Sequence, residues 1–367
     1  LALAPVVLPL APRPAAAQAT KPVLRISAIP DQNPEKLNRL YGQVAQQLSK
    51  QLGVPVQYVP VIDYAAAVSA FRTGNLDLVW FGGLTGVQAR LQKPGAQVIA
   101  QRDIDAAFHS VFIANKASGL QPITSLKGLG ELKGKRFTFG SESSTSGRLM
   151  PQFFLQQAGV KLSDFAGGAP GFSGSHDATI ALVQSGAYQA GAVNEQVWKD
   201  NLHSGKANRA KVFAIWRTPG YPDYHWIGQP NLDARFGKGF TAKLRGAILS
   251  WRPSNPEQKA ILKLFGAQQF TAAQAGDYAS IERVGRQIGK IHCERVALLG
   301  PSGAGKSTLL AVANGLLRPD QGQVLWQGQA PARSTQARRR QQRRIGTLWQ
   351  DLRLIEELTV QQNLNAG

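Results

Sequence analysis

Two short stretches hold residues whose types and spacing could do chemistry. The first is Phe139–Pro151 (FGSESSTSGRLMP), where Ser143, Ser144, Thr145 and Ser146 run consecutively into Gly147. Lys135–Phe139 has the pattern of a strand, and Leu149, Phe153 and Phe154 open a helix that Gly159 ends. The hydroxyls therefore sit where a strand turns into a helix. Backbone N–H groups there lack partners and carry the positive end of the helix dipole, which suits an anion. Hydroxyl donors hold an oxyanion without a buried cation of their own. One Ser or Thr at a helix start is ordinary capping; four in a row followed by glycine exceed what a cap requires.

The second stretch is Gly300–Ser307 (GPSGAGKS), a complete G-x4-G-K-S. A buried-strand run, Arg295–Leu299, precedes it, and Leu309, Leu310, Val312 and Ala313 continue it as an apolar helix. In such a loop the backbone around Gly300, Ser302, Gly303 and Gly305 cradles phosphates. Lys306 reaches the β/γ oxygens, and Ser307, followed by Thr308, coordinates Mg²⁺. ATP with Mg²⁺ is the cofactor this implies for the C-terminal piece, and no cofactor is expected before it.

These residues need elements to position them. Val23–Ile29 alternates as a strand, and Asn33 with Pro34 offers a helix start. Leu37, Leu40, Tyr41, Val44, Leu48 and Leu52 then recur at helical spacing until Gly53. Val54–Val59 reads as the next strand, and alternation of this kind to about residue 290 predicts a mostly parallel sheet flanked by helices. Tyr64–Phe81 and His176–Val193 share a layout at a constant offset of 112: helix, glycine (Gly74, Gly186), short apolar strand, polar loop. The offset aligns Asp63-Tyr64 with Ser175-His176 at the two helix starts. Two similar lobes with polar residues at helix N-termini suggest a ligand held between them.

Composition narrows the classes. With 367 residues, 43% hydrophobic, the chain can fill two or three domain cores, and no apolar run reaches membrane-spanning length. One cysteine, Cys293, excludes a disulfide framework. A formal charge of +20 is compatible with nucleic acid, an anionic surface or an anionic small ligand, and does not choose among them. Arg338–Arg340 with Arg343 and Arg344 lack interleaved aromatics, so they read as a solvated face and no nucleic-acid partner is expected. Leu1–Leu10 followed by the small residues of Ala15–Ala19 reads as the remnant of a signal peptide over residues 1–19, with Thr20 as mature start and export as the consequence.

Four segments carry a resemblance: Asp63–Gly83, Lys133–Pro151, Gly171–Val183 and Thr218–Trp226. Through them, residues ~22–290 resemble the substrate-binding proteins of phosphonate-type ABC importers, which include phosphite binders and selenate-type binders. The resemblance implies an α/β, two-lobe type II periplasmic-binding-protein fold that closes on a tetrahedral oxyanion. Lobe 1 would span about 22–114 and 216–290 and lobe 2 about 115–215, the chain crossing near residues 115 and 215. It also implies that Ser144, Thr145 and Ser146 are the oxyanion-binding Ser-Thr-Ser, that Tyr64 and His176 are ligand residues, and that Asp223 and Tyr224 join them. The implied partners are a small oxyanion and the permease subunits of the importer.

Two departures matter. Relatives selective for an aminoalkyl ligand place a tyrosine where this chain has Phe108, and carboxylates near the Gln196 and Tyr224 positions. Here Glu195 and Asp223 are only adjacent, which favours a small oxyanion without an amine. Asp63, Asp223 and Glu142 are all near enough in sequence to accept a ligand P–OH, and the sequence leaves open which one does.

Residues 291–367 resemble a partial P-loop NTPase of the ABC transporter type, with GLLRPDQGQVLWQGQ at Gly315–Gln329 and Gln350 matching the family's Q-loop glutamine, a second Mg²⁺ contact. The family's signature helix, Walker B carboxylate and switch histidine are not matched, so ATP binding is expected there and hydrolysis is not. The reading is a solute-binding protein rather than an enzyme. Its rival is an ATP-binding subunit with an N-terminal fusion.

Overall fold

The computed structural model describes residues 22–291, 305–313 and Leu317. The chain divides into two compact units, 1–293 and 294–367.

In the first unit β1 (Leu24–Ala28) leads into α1 (Pro34–Leu52). Asn33 Oδ1 accepts from Glu35 N and Lys36 N, Pro34 fills the first helical position, and Gly53 ends the helix at φ 73°. All six apolar positions expected of this helix are buried. Then follow β2 (Val56–Tyr58), α2 (Tyr64–Arg72), β3 (Leu78–Phe81), α3 (Gly83–Gln92), β4 (Gln97–Arg102) and β5 (Ser110–Asn115). After β6 (Phe137–Phe139) a π-helical turn, Thr145–Leu149, runs into α4 (Met150–Gln157). Next come β7 (Gly171–Phe172), α5 (His176–Ser185), β8 (Ala190–Asn194), α6 (Glu195–His203) and β9 (Val212–Arg217). The unit closes with β10 (His225–Gly228), α7 (Leu232–Phe236), α8 (Phe240–Leu249), α9 (Pro256–Phe265), β11 (Phe270–Thr271) and α10 (Ala279–Gln287).

Two sheets result, ordered β11-β4-β10-β3-β1-β2 and β7-β6-β8-β5-β9. The expected internal repeat is real in three dimensions. α2 and α5 begin 112 residues apart, Gly74 and Gly186 both adopt φ near 80°, and β3 and β8 occupy matching places after them.

Two expectations need correction. The sheets are mixed rather than mostly parallel: β10 runs antiparallel to β3 and β4, and β5 antiparallel to β8 and β9. These are the strands that enter a sheet directly from the other lobe, without the crossover helix that makes neighbours parallel. The lobe crossings also shift, to residues 103–109 and 218–224. The whole of β5 and β9 belongs to the second sheet, because Ser110–Asn115 pairs on both sides there. The two crossings are tied by a bridge, Phe108 N to Tyr221 O at 2.8 Å and Tyr221 N to Phe108 O at 2.9 Å.

In the second unit Gly305, at φ 75°, precedes α11 (Lys306–Ala313), the loop-to-helix step expected of a phosphate loop. Ser307 and Thr308 are exposed on its first turn. Gly300, Ser302, Gly303 and Gln350 lie outside the described residues.

Candidate functional site

Four element starts converge between the lobes, and each has a local reason to start there. Asp63 caps α2 through Ala66 N (2.7 Å), which makes Tyr64 its first residue. Ser175 caps α5 through Ala178 N (3.3 Å), which makes His176 its first residue. Ser144 Oγ accepts from Gly147 N at 2.9 Å and opens the turn that begins with Thr145. The start of α3 supplies two N–H groups: Gly83 N donates to Asp223 Oδ1 (2.8 Å) and Leu84 N to Thr145 Oγ1 (2.9 Å). Gly147 has to be glycine, because a Cβ there would lie 2.9 Å from Ser144 Oγ and 3.0 Å from His176 Cε1.

Tyr64, Ser144, Thr145, Ser146, His176, Asp223 and Tyr224 are all buried and come together here. Three of them keep a buried polar atom with no hydrogen-bond partner among the described residues: Tyr64 Oη, Ser146 Oγ and Asp223 Oδ2. Such atoms are rare in folded proteins, since an unmet buried donor or acceptor costs about 1–3 kcal/mol. Two can donate hydroxyl protons; the third is a carboxylate oxygen. Burial pushes Asp223 up to about 7, with the Gly83 N–H and the Thr145 hydroxyl pulling it back. The sequence left three carboxylates open for this role. Asp63 is occupied as a cap and Glu142 pairs with Lys290 on the surface (3.3 Å), so Asp223 is the one at the site.

His176 is fixed by both lobes. Its Nδ1 accepts from Asn194 N (3.3 Å), so the neutral ring carries its proton on Nε2, 3.4 Å from the Tyr224 hydroxyl. Burial pushes the ring down to about 4. Its backbone N donates across the cleft to Asp31 O at 3.0 Å. Tyr224 in turn donates to Asp31 Oδ2 (2.8 Å) and accepts from Asn194 Nδ2 (2.9 Å), so its hydroxyl is spent on the protein rather than left for a ligand. Asp31, which burial pushes up to about 6, and Asn194 were not singled out from sequence. Asp31 lies in the loop that follows β1 and Asn194 ends β8. The carboxyl ends of strands, where open α/β sheets bind ligands, were the signal available.

Residues 26–278 match the family of ABC transporter phosphonate periplasmic substrate-binding proteins. The chain belongs to this family. It is 54% identical over 269 residues to the probable ABC transporter phosphite binding protein PhnD1 of Prochlorococcus marinus, spanning 73% of this chain and 91% of that protein. The solved structure of PhnD1 in complex with methylphosphonate superposes with a TM-score of 0.72, covering 73% of this chain and 99% of that one. The phosphonates-binding periplasmic protein of Escherichia coli is 26% identical over 71% of this chain and 75% of its own length. Residues 291–366 match the ABC transporter family. Over 27% of this chain they overlap a region 41% identical to the phosphonates import ATP-binding protein PhnC 1 of Rhodopseudomonas palustris, of which 36% is covered.

Around Tyr224 this family member has a filled wall. Trp80 stacks on Tyr224 (ring centroids 5.8 Å apart), and Phe108 meets Tyr224 edge-on at 5.6 Å. The Arg102 guanidinium lies 5.0 Å from the Tyr224 ring and 5.4 Å from the Phe108 ring. Asp105 grips it at 2.7 Å through both Nε and Nη2. The space left there, beside Asp31, Asn194 and Gln196, is a cavity of about 10 Å³, room for about one water. Glu195, adjacent to the wall in sequence, is drawn away to Arg217 (2.7 Å) and Lys199 (3.2 Å). Gln196 is tied to Asp200 (3.0 Å).

Proposed function

We propose that residues 22–291 form the extracytoplasmic receptor of an ABC importer for a small phosphorus oxyanion, phosphite or a simple alkylphosphonate such as methylphosphonate. One observation carries this reading: two unpartnered hydroxyls, of Tyr64 and Ser146, and one unpartnered carboxylate oxygen, of Asp223, face a cradle of helix starts. A fully ionised selenate or sulfate offers acceptors only, so Asp223 repels it. A phosphorus oxyanion carrying a P–OH satisfies all three atoms. The filled wall argues against a cationic tail, since it places a guanidinium where an ammonium would have to enter. Delivery to permease subunits and location outside the cytoplasm follow from the same reading. In the second unit, Gly305–Thr308 would offer nucleotide phosphates a helix start, with Mg²⁺ at Ser307, and we expect nucleotide binding there.

Thermal unfolding of the chain with a ligand panel tests the proposal. A ligand that binds only the folded state adds about 2.7 kcal/mol at a hundredfold excess over Kd. Methylphosphonate and phosphite should raise Tm most, aminoethylphosphonate less, sulfate and selenate least. No shift with any of them would sink the reading.

A further inference from the structure

Asp223 carries the one carboxylate oxygen among the unpartnered buried atoms of the site. Arg148, on the Thr145–Leu149 turn, also keeps Nε and Nη1 unpartnered, with its guanidinium against the Phe139 and Phe172 rings (4.5 and 5.1 Å). Oδ1 is met by Gly83 N; Oδ2 is buried and met by nothing. Among the described residues no cation pairs with it. Arg102, whose charge acts on it, spends its fork on Asp105 and on Phe265 O (2.7 Å). The other titratable groups around it are Asp105, paired with Arg102, whose like charge pushes Asp223 up, Tyr64 on α2, Tyr278 ahead of α10, and Tyr221, Tyr224 and His225 on its own segment. All four tyrosines are pushed upward by burial and stay neutral. His225, pushed down to about 3, is neutral as well, and its Nδ1–H is committed to Asp223 O at 3.0 Å. A ligand oxygen that reaches Oδ2 therefore finds no cation paired with it among the described residues, and the contact needs a proton between the two oxygens.

We propose that ligand binding is proton-coupled at Asp223: when the cleft closes, one proton is held between Asp223 Oδ2 and an oxygen of the ligand, and is taken from solution whenever carboxylate and ligand arrive ionised. This rests on the phosphorus-oxyanion reading above. The step balances simply. The buffer acid loses a proton, a P–O–H···O contact forms, and no bond to phosphorus is made or broken. Two like-charged oxygens at contact in a dry cleft favour this proton strongly. A phosphonate's second ionisation falls near neutrality, as that of a phosphate monoester does, so uptake appears above that range.

Titration calorimetry of the full chain with methylphosphonate, in buffers of different ionisation enthalpy, reads the proton count. At about pH 8.5 the observed heat should vary with buffer enthalpy with a slope of about one proton taken up, and near pH 5.5, where Asp223 and the ligand each arrive protonated, the slope should reverse sign toward release of a proton. Asp223→Asn should abolish the slope. Its amide N–H can donate to an aprotic oxyanion, so the preference for methylphosphonate over sulfate should fall by about tenfold or more. If Asp223→Asn does not fold, the wild-type slope alone decides. Tight binding with no buffer dependence at about pH 8.5 overturns the proton coupling and leaves the ligand assignment standing. A slope that survives in Asp223→Asn also overturns it, by placing the proton elsewhere, with Asp31 the next carboxyl. Absence of methylphosphonate binding would instead overturn the functional reading itself.

Discussion

The starts of α2 and α5 are copies in layout and opposites in commitment. Each begins 112 residues from the other, behind a side-chain cap, with a polar ring as its first residue. The His176 ring is held by Asn194 and Tyr224 before any ligand arrives, and its backbone is held by Asp31. The Tyr64 hydroxyl, with only the Ser144 hydroxyl near enough to influence it, makes no well-formed hydrogen bond among the described residues. One half of the site is thus built by the protein and the other half is left for the ligand to finish. The repeat supplies positions, and the surroundings decide whether a position serves stability or binding.

Replacing His176 should break the built half. His176→Ala removes a fully buried ring, opens a cavity, and strands Asn194 N together with part of the Tyr224 network. Cavity and lost hydrogen bond together should destabilise the unliganded protein by about 3 kcal/mol. Methylphosphonate binding should be lost as well. Thermal unfolding without ligand is the measurement; an unchanged Tm would mean that the two helix starts are equivalent after all.

Tyr64→Phe sharpens the same contrast. It deletes a hydroxyl that makes no well-formed hydrogen bond among the described residues, so the Tm without ligand should hold or rise slightly. Affinity for methylphosphonate should fall about 10- to 100-fold, the loss of one hydrogen bond to a charged group at about 1.5–3 kcal/mol. A drop in unliganded Tm comparable to that of His176→Ala would show that Tyr64 is structural.

How much of this was legible beforehand follows from the range of each interaction. Helix α1 was readable because its cap, its proline and its six buried apolar positions are all local. So were the two repeat halves, since helix, positive-φ glycine and strand lie within twenty residues of one another. The antiparallel entry of β5 and β10 was not, because Ser110–Asn115 reads as a buried strand whichever sheet receives it. Asp31 was equally hidden: its loop reads as an ordinary lead-in to Asn33, and the partner that makes it matter, Tyr224, is 193 positions away. Choosing Asp223 over Asp63 and Glu142 needed side-chain directions that spacing does not give.

The pH response offers the finest test of how the built half is balanced. His176 is pushed down to about 4 by burial, so between about pH 4 and 6.5 the unfolded chain binds a proton that the folded chain refuses. Stability therefore rises with pH across that window, and His225, pushed down to about 3, acts in the same sense. Asp31 does the reverse. Burial raises it to about 6, so between about pH 4 and 6 the folded chain holds a proton that the unfolded chain releases, and stability falls as pH rises. Asp223, raised to about 7, adds to this second slope. Asp105, raised by burial, acts in this second sense too; the two sets oppose each other, and the native protein should have only a shallow dependence of Tm on pH between about pH 4.5 and 6. Asp31→Asn keeps an oxygen that can accept the Tyr224 O–H and removes one of the opposing titrations. Each unopposed proton is worth about 1.4 kcal/mol per pH unit, so the variant should lose about 2 kcal/mol on acidification from about pH 6 to 4.5. A Tm scan of the two proteins over this range checks it. Parallel, equally flat curves would mean that Asp31 already carries its ordinary charge in the folded state, and that the Tyr224 hydroxyl rather than burial governs it.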